Sequence, residues 1–214
     1  MISLSDLRQF KTNGRKFSCL TCYDASMAKA MEIAEVDSIL IGDSLGMSIQ
    51  GRDSTLPVTV EDMAYHTAAV RRGNQHAFIM TDLPFMSYAT LNDALISSKT
   101  VMQAGAQMVK MEGGAWLSET VTVLTRNGIP VCVHLGLTPQ SVHVFGGYKL
   151  QARTREAADQ LIADCKAVVE AGAALLLLEC VPAQLGKEIS ELFPHIPVIG
   201  IGAGADTDGQ VLVV

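Results

Sequence analysis

The stretch SILIGDS at residues 38–44 decides the fold, because it joins a short apolar run to a bare carboxylate, Asp43. A segment that favours burial would not be expected to end in an unpaired acid. The same pattern nevertheless recurs in AFIMTD ending at Asp82, MVKME ending at Glu112, VCVH ending at His134 and LLLLE ending at Glu179. Apolar runs that repeatedly end in polar, ligand-capable side chains require an architecture that brings strand ends together.

Strand-like runs alternate with amphipathic segments along the chain. We predict eight strands, at about residues 17–23, 38–42, 77–81, 108–112, 130–134, 174–179, 197–201 and 211–214. Several of the intervening helical patterns end in glycine just before the next strand, as helix C-termini often do. Strands that alternate with helices indicate parallel strands joined by crossover helices.

Eight strand-helix units favour a closed (β/α)8 barrel, the TIM-barrel fold of the α/β class, over an open doubly wound sheet. An open sheet would normally carry a glycine-rich nucleotide motif after its first strand, and TCYDASM at residues 21–27 contains no glycine. In a barrel all strand C-termini open at one mouth, so the polar strand ends converge there. We predict a single domain over residues 1–214, an N-terminal helix at about residues 3–12 that closes the opposite end, and a chain that stops within strand 8.

The composition is that of a globular protein, with 49% hydrophobic and 18% charged residues. A net charge of −6 without a basic stripe argues against nucleic acid as a partner. We find no signal segment and no stretch of membrane-spanning length, so we expect a cytoplasmic protein without a membrane partner. Cys19 and Cys22 form a C-x-x-C pair, but residues three apart on a strand face opposite sides, and we interpret them as core residues rather than a zinc or redox site.

Asp43, Asp82 and Glu112 end three successive strands, which makes them neighbours at the mouth of a barrel. Adjacent carboxylates repel each other unless a cation lies between them or one of them is protonated. An all-oxygen set suits Mg²⁺, which keeps positions free for water and a chelating substrate. The alternative is that each acid only begins a loop or caps a helix. We predict a Mg²⁺ site.

Three further polar residues are candidates for the same mouth. Lys110 lies two residues before Glu112, on the same face of the strand, and inside a barrel it needs an anionic partner from the site or the substrate. His134 is compatible with a substrate donor, an acid–base group or a satisfied core histidine. Glu179 ends the most apolar strand, where desolvation would make its carboxylate a stronger base, as a general base requires, with helix capping as the alternative.

Two glycine-containing segments lie near predicted strand ends. GIGAGAD at residues 200–206 could bind phosphate, but its spacing departs from the dinucleotide fingerprint and favours close backbone packing. FGGYKLQAR at residues 145–153 is typical of a mobile loop at the mouth, because its glycines permit closure over a ligand.

Long motifs cover nearly the whole chain: GDSLGM (42–47), GRDSTLPVTVEDMAYHTAAVRRG (51–73), DLPFMSYAT (82–90), MVKMEGG (108–114), HLGLTPQSVHVFGGYK (134–149), LLLECVPAQL (176–185) and IPVIGIGAG (196–204). Together they resemble the ketopantoate hydroxymethyltransferase family. The resemblance implies a (β/α)8 barrel enzyme of pantothenate biosynthesis. Such an enzyme transfers a hydroxymethyl group from 5,10-methylenetetrahydrofolate to 3-methyl-2-oxobutanoate, giving 2-dehydropantoate and tetrahydrofolate through a Mg²⁺-stabilised enolate.

The resemblance also implies roles for individual residues. It implies a Mg²⁺ site formed by Asp43, Asp82 and Glu112, the last bound directly or through water. It implies 2-oxoacid binding by Asp43, Ser44, Asp82 and Lys110, with His134 as a further contact. It implies that Glu179 is the catalytic proton-transfer residue, and that the chain assembles into a homodecamer built from pentameric rings.

This chain departs from the family pattern at Ala152, where we expect glycine, and family members continue past DGQVLVV at residues 208–214. Two other functions remain open. The first is another magnesium-enolate barrel enzyme, such as a carbon–carbon lyase of the isocitrate lyase and phosphoenolpyruvate mutase type, which would not need a folate. The second is a non-catalytic binding role, against which the intact set of matched site residues argues.

Overall fold

The computed structural model describes all 214 residues and shows eight parallel strands in a closed barrel that follows chain order. The strands are β1 (Phe17–Thr21), β2 (Ser38–Ile41), β3 (Phe78–Asp82), β4 (Met108–Glu112), β5 (Val131–Gly136), β6 (Leu175–Glu179), β7 (Val198–Ile201) and β8 (Gly209–Leu212). β8 pairs with β1 and closes the barrel, with Phe17 opposite Gly209. The predicted fold class is confirmed, and each strand lies within about two residues of its predicted position.

Helices surround the barrel on most of its circumference. They are α1 (Leu4–Thr12), α2 (Ala25–Ile33), α3 (Leu45–Ser48), α4 (Val60–Gly73), α5 (Leu91–Gln103), α6 (Ser118–Arg126), α7 (Val142–Phe145), α8 (Arg155–Glu170) and α9 (Ala183–Leu192). Helices α2, α4, α5, α6, α8 and α9 are the crossovers between successive strands. The alternation predicted from sequence is wrong at one place, because residues 202–208 join β7 to β8 without a helix. None of the helices combines the length and apolar composition that crossing a bilayer requires.

Polar residues at the helix starts explain why the crossovers begin where they do. The Thr59 side chain accepts the backbone N–H of Asp62, whose own carboxylate accepts the Thr59 N–H, so that α4 starts with a reciprocal capping box. Thr90 and Thr154 cap α5 and α8 by accepting backbone N–H groups of the first turn. Such caps satisfy donors that have no partner within the helix and stabilise the start of each helix by about 1 kcal/mol.

The core has two layers, one inside the barrel and one between the strands and the helices. Cys19 belongs to the inner layer and Cys22 to the outer layer, and both are free thiols. The interpretation of the C-x-x-C pair as core residues is therefore confirmed. Leu7 of α1 is fully buried in the inner layer beside Phe17 and Phe78, so α1 closes the amino-terminal end of the barrel as predicted.

The glycine-rich connection between β7 and β8 packs tightly against its neighbours. A Cβ atom on Gly200 would lie 2.6 Å from Thr207 Oγ1, and one on Gly204, where φ is +84°, would lie 2.6 Å from the Ala183 Cβ. Close packing therefore accounts for these glycines. β8 ends at Leu212, two residues earlier than predicted, and the Val214 N–H after it donates a 3.0 Å hydrogen bond to Thr21 Oγ1.

Candidate active site

A pocket of about 240 Å³ opens at the carboxyl ends of the strands. Its walls include every site residue predicted from sequence: Asp43, Ser44, Asp82, Lys110, Glu112, His134 and Glu179. The expected convergence of polar strand ends at one mouth is therefore observed. The roles that the resemblance implies for these residues stay predictions.

The strand register explains how residues distant in sequence become neighbours. Asp82 of β3 lies opposite Lys110 of β4, and Glu112 of β4 lies opposite His134 of β5. Lys110 and Glu112 share the inner face because side chains alternate along a strand. Glu179 of β6 lies opposite Gly136 of β5, two residues beyond His134 on the same strand.

Lys110 is the cation at the centre of the site. Its side chain is 3% exposed, and Nζ lies 2.7 Å from Asp82 Oδ1 and 3.7 Å from Glu112 Oε1. Burial lowers the pKa of Lys110, but the charges of Asp82, Glu112 and Asp43 raise it by more, so the net pKa is raised and the ammonium group keeps its charge. The prediction that Lys110 requires an anionic partner is confirmed.

The carboxylates outnumber this cation. Asp43 donates its backbone N–H to Asp82 Oδ2 over 3.0 Å, which brings the two acids together. Burial, together with the charges of Asp82 and Glu112, raises the pKa of Asp43 well above its ordinary value. Burial also raises the pKa of Asp82, although Lys110 opposes this shift. A second cation in the pocket would relieve this repulsion.

His134 connects two glutamates. Its Nδ1 lies 3.1 Å from Glu112 Oε1, and its Nε2 lies 3.2 Å from Glu179 Oε2. Burial and the charge of Lys110 lower the pKa of His134, but Glu112 and Glu179 raise it by more, and the net pKa is raised. Burial raises the pKa of Glu112, whereas the charges of His134 and Lys110 lower it to a net value below the ordinary one. The imidazole thus lies between two acids, and the Lys110 ammonium lies 3.2 Å from the same Nδ1.

Glu179 is less buried than its apolar strand suggests. Its side chain is 17% exposed, whereas those of Glu112 and His134 are 3% and 4% exposed. Glu179 is the last residue of β6 and lies at the rim of the pocket, so its carboxylate stays partly accessible to water. Tyr148, from the loop after α7, lines the same pocket.

The carboxylate oxygens differ in the hydrogen bonds and ion pairs that they already form with other protein groups. Both oxygens of Glu112 are engaged, Oε1 by His134 and Oε2 by the backbone N–H of Gln140 at 2.9 Å. Asp82 Oδ1 is buried without a well-aligned hydrogen bond, although the Lys110 ammonium lies close to it. No three His, Cys, Asp or Glu side chains converge as a ready-made metal cluster. The donor set therefore fits a hard cation held by two aspartates rather than by three carboxylates.

Sequence reasoning missed several polar residues of this site. Gln140 Nε2 donates to Asp43 Oδ2 over 2.8 Å, and Tyr88 donates to Gln140 Oε1 over 2.6 Å. Tyr23, which was also missed, shares a 2.8 Å hydrogen bond between hydroxyl groups with the predicted Ser44. These side chains lie on loops or just after strands, where no periodicity marks them. The available signal is the position of Gln140 within HLGLTPQ and of Tyr88 within DLPFMSYAT.

The sequence profile of ketopantoate hydroxymethyltransferase matches residues 1–214, which is the whole chain. The chain belongs to the ketopantoate hydroxymethyltransferase family. The 3-methyl-2-oxobutanoate hydroxymethyltransferase of Acinetobacter baumannii strain AYE is 89% identical over 214 residues, covering all of this chain and 80% of that protein. The protein of the same name from Psychrobacter sp. strain PRwf-1 is 66% identical over 213 residues, covering 100% of this chain and 78% of its own length. Membership of this family makes the chain an enzyme, a hydroxymethyltransferase.

Solved structures of other enzymes share this fold. A 2,3-dimethylmalate lyase, described as a member of the PEP mutase/isocitrate lyase superfamily, superposes with a TM-score of 0.70 at 14% identity and covers 99% of this chain and 81% of its own. The phosphoenolpyruvate phosphomutase of Streptomyces platensis subsp. rosaceus gives a TM-score of 0.73 at 13% identity. The match covers 99% of this chain and 80% of the phosphomutase chain. At such identities the likeness shows the fold alone.

Proposed function

We propose that this hydroxymethyltransferase moves a hydroxymethyl group from 5,10-methylenetetrahydrofolate to 3-methyl-2-oxobutanoate, giving 2-dehydropantoate and tetrahydrofolate in pantothenate biosynthesis. One observation carries the proposal: the paired acids Asp43 and Asp82 face the same small pocket as a separate, rim-placed carboxylate, Glu179. The pair suits the binding of a chelating 2-oxoacid through a cation, and the rim carboxylate suits proton removal from that acid. The names of the relatives that cover the whole chain support the same reaction.

The pocket suits the 2-oxoacid better than the folate. Its volume of about 240 Å³ lies below the range of roughly 300–1,000 Å³ that drug-sized ligands occupy. Leu40, Leu177, Ile201 and Val211 provide apolar surface in the same pocket as the charged residues. A small acid with a branched alkyl group therefore matches the pocket in size and polarity, whereas only the reactive end of a folate would reach in from the rim.

Mg²⁺ would supply Lewis-acid polarisation of the carboxylate and keto oxygens of the substrate, which acidifies the neighbouring Cβ proton. Asp43 and Asp82 would hold the ion, Asp43 with the oxygen that Gln140 does not occupy and Asp82 in competition with the Lys110 ammonium. Glu112 would act through water, because both of its oxygens are already engaged. Lys110 and Ser44 would bind the acid, with His134 as a further contact.

Glu179 is the base in this proposal. Its carboxylate takes the Cβ proton of the 2-oxoacid, and the electron pair of that C–H bond passes into the enolate. In the net reaction the enolate carbon forms a C–C bond to the methylene carbon of the folate, both C–N bonds of that carbon break, and water supplies the hydroxyl oxygen. The Cβ proton and one water proton end on the two nitrogens of tetrahydrofolate. His134 Nε2 lies 3.2 Å from Glu179 Oε2 and would hold the base in position at the rim.

A coupled assay with 3-methyl-2-oxobutanoate tests this function, with and without Mg²⁺ and with and without 5,10-methylenetetrahydrofolate. We expect product only when both are present. Cleavage of a 2-oxoacid or malate-type substrate without folate would instead favour the lyase alternative. The absence of any turnover would favour a non-catalytic role.

The family resemblance supports two further proposals, a cytoplasmic location and a homodecamer. Large apolar side chains are exposed on this chain, among them Trp116 at 67% and Ile33 at 76%, which suits a surface that packs against other copies. Native mass spectrometry would test the assembly, and a monomer at micromolar concentration would contradict it.

A further inference from the structure

Gln140 is a buried polar residue to which neither the sequence motifs nor the proposed mechanism assigns a task. It lies in a single 3₁₀ turn, Pro139–Ser141, that follows β5, and it is 7% exposed. A buried amide is costly unless its donors and acceptors are satisfied. The partners that satisfy this amide are therefore informative.

The partners of Gln140 come from the ends of three other strands. Its Nε2 donates to Asp43 Oδ2 after β2 over 2.8 Å and to the Leu83 carbonyl after β3 over 3.0 Å. Its backbone N–H donates to Glu112 Oε2 at the end of β4 over 2.9 Å. Gln140 thus contacts all three strand ends that carry the acids of the proposed metal site.

The orientation of the amide follows from the chemistry of these partners. The Asp43 carboxylate and the Leu83 carbonyl can only accept, so the NH₂ group must face them. The Oε1 atom then faces Tyr88, whose hydroxyl donates to it over 2.6 Å. Tyr88 is 7% exposed and also accepts the backbone N–H of Glu112 over 3.3 Å, which links the amide to β4 a second time.

We propose that Gln140 is a positioning residue that holds Asp43 with one oxygen tied to its amide and the other free, and thereby sets the affinity of the pocket for a divalent cation. This inference rests on the proposed function, because it assumes that Asp43 binds the ion. Without the amide, the Asp43 side chain would rotate under the repulsion of Asp82 and Glu112. Outer-shell hydrogen bonds of this kind typically change metal affinity by about 10–100-fold.

The competing interpretation is that Gln140 only satisfies the buried core. Gln107 provides a matched control, because it is a partly buried glutamine at the opposite end of the barrel. Its Oε1 accepts the Ile79 N–H over 3.0 Å, and its Nε2 donates to the Ile2 carbonyl over 3.3 Å. Gln140→Leu and Gln107→Leu both remove a hydrogen-bonded amide, but only the first removes a contact to a proposed ligand.

The experiment titrates Mg²⁺ into the parent protein, Gln140→Leu, Tyr88→Phe and Gln107→Leu by calorimetry, with 3-methyl-2-oxobutanoate present, and records the melting temperature of each. We expect Gln140→Leu to weaken Mg²⁺ binding by about 10–100-fold. Tyr88→Phe should weaken it less, because the amide keeps its contact with Asp43. Gln107→Leu should lower the melting temperature and leave Mg²⁺ affinity within about twofold of the parent.

In folate-free D₂O exchange of the Cβ proton, Gln140→Leu should raise the half-saturating Mg²⁺ concentration more than it lowers the limiting rate.

Two results would overturn the inference and leave the proposed function intact. In the first, Gln140→Leu binds Mg²⁺ as tightly as the parent. In the second, Gln107→Leu weakens binding as much as Gln140→Leu, which would mark a general loss of stability. A parent protein that binds no Mg²⁺ with the 2-oxoacid present would instead overturn the metal site itself, and the role of Gln140 with it.

Discussion

The imidazole Nε2 of His134 lies 3.2 Å from Oε2 of Glu179, although the two residues belong to different strands. The same ring contacts Glu112 through Nδ1, so it joins the carboxylate at the rim to the charged cluster deeper in the pocket. The positions of the proposed base and of the proposed metal ligands are therefore linked by one side chain. We expect variants of Glu179 to affect proton removal and variants of the three deeper acids to affect cation binding.

Glu179→Gln should strongly slow proton removal and preserve binding. Glutamine has nearly the same shape but cannot accept a proton, so exchange of the Cβ proton of 3-methyl-2-oxobutanoate in D₂O should slow by about two to four orders of magnitude. NMR without folate measures this exchange, and calorimetry should show unchanged affinity for Mg²⁺ and the 2-oxoacid. Glu188→Gln makes the same change on the exposed face of α9 and should have no effect. Undiminished exchange in Glu179→Gln would rule out this base.

The three acids should contribute unequally to Mg²⁺ binding. Asp43→Asn and Asp82→Asn each remove a proposed direct ligand and should weaken Mg²⁺ affinity by more than about 100-fold, whereas Glu112→Gln should cost about 10–100-fold, the usual effect of a residue beyond the ligands. Glu112 contributes less because His134 and Gln140 already occupy its oxygens. Calorimetric titration measures all three. An equal loss in Glu112→Gln would identify it as a direct ligand.

Lys110→Met should destabilise the protein, and Mg²⁺ should restore part of the loss. Removal of the buried ammonium leaves Asp82 and Glu112 without their cation, which typically costs about 3–5 kcal/mol of unfolding free energy. An ion that binds only the folded state adds stability in proportion to its occupancy. Urea denaturation with and without Mg²⁺ measures both effects.

The control for Lys110→Met is Lys187→Met. Lys187 lies 4.0 Å from Glu191 on the surface of α9, and such exposed pairs contribute less than about 1 kcal/mol. Equal stability losses in the two variants would show that the charge of Lys110 is not required to balance the site.

Ala152→Gly should stabilise the protein. Ala152 has a φ of +52°, a left-handed conformation that costs a residue with a Cβ about 1–2 kcal/mol. Glycine avoids this strain but loses about 0.5–1 kcal/mol of chain entropy, so the net gain should be about 0.5–1 kcal/mol. Ala163→Gly in the exposed face of α8 should instead destabilise by about 1 kcal/mol. Urea denaturation measures whether the unfolding free energy rises in Ala152→Gly and falls in Ala163→Gly.

The buried thiols should react only after unfolding. Burial raises the pKa of Cys19 and of Cys165 to about 12, so both keep their protons at mildly alkaline pH, and the thiolate is the nucleophile. The ordinary pKa of a cysteine thiol is 9.0, so between pH 9.0 and about 12 these two thiols keep their protons only in the folded state. The free energy of unfolding should therefore fall as the pH rises through this range. Iodoacetamide labelling followed by mass spectrometry should modify the partly exposed Cys180 first. Rapid labelling of Cys165 in the folded protein would contradict this burial.

The sequence by itself determined the barrel and the polar residues at the carboxyl ends of its strands. Apolar runs, helix caps and terminal glycines are local signals, so they predicted eight strands and six of the crossovers, together with the N-terminal helix. The acids at the ends of the strands followed directly, because parallel strands in a barrel all end at the same face. The missing crossover between β7 and β8 has no local signal other than the shortness of residues 202–208.

Only the tertiary structure decided which atoms meet. Lys110 contacts Asp82 on the neighbouring strand more closely than Glu112 on its own strand, and this choice depends on strand register. Gln140 reaches Asp43 across 97 positions of sequence, and no periodicity relates them. The burial of Glu179 also depends on its position at the rim rather than on its apolar strand. The hydrophobic pattern is a local property of the sequence. Hydrogen bonds and ion pairs of the site form between distant segments, which only the closed barrel brings together.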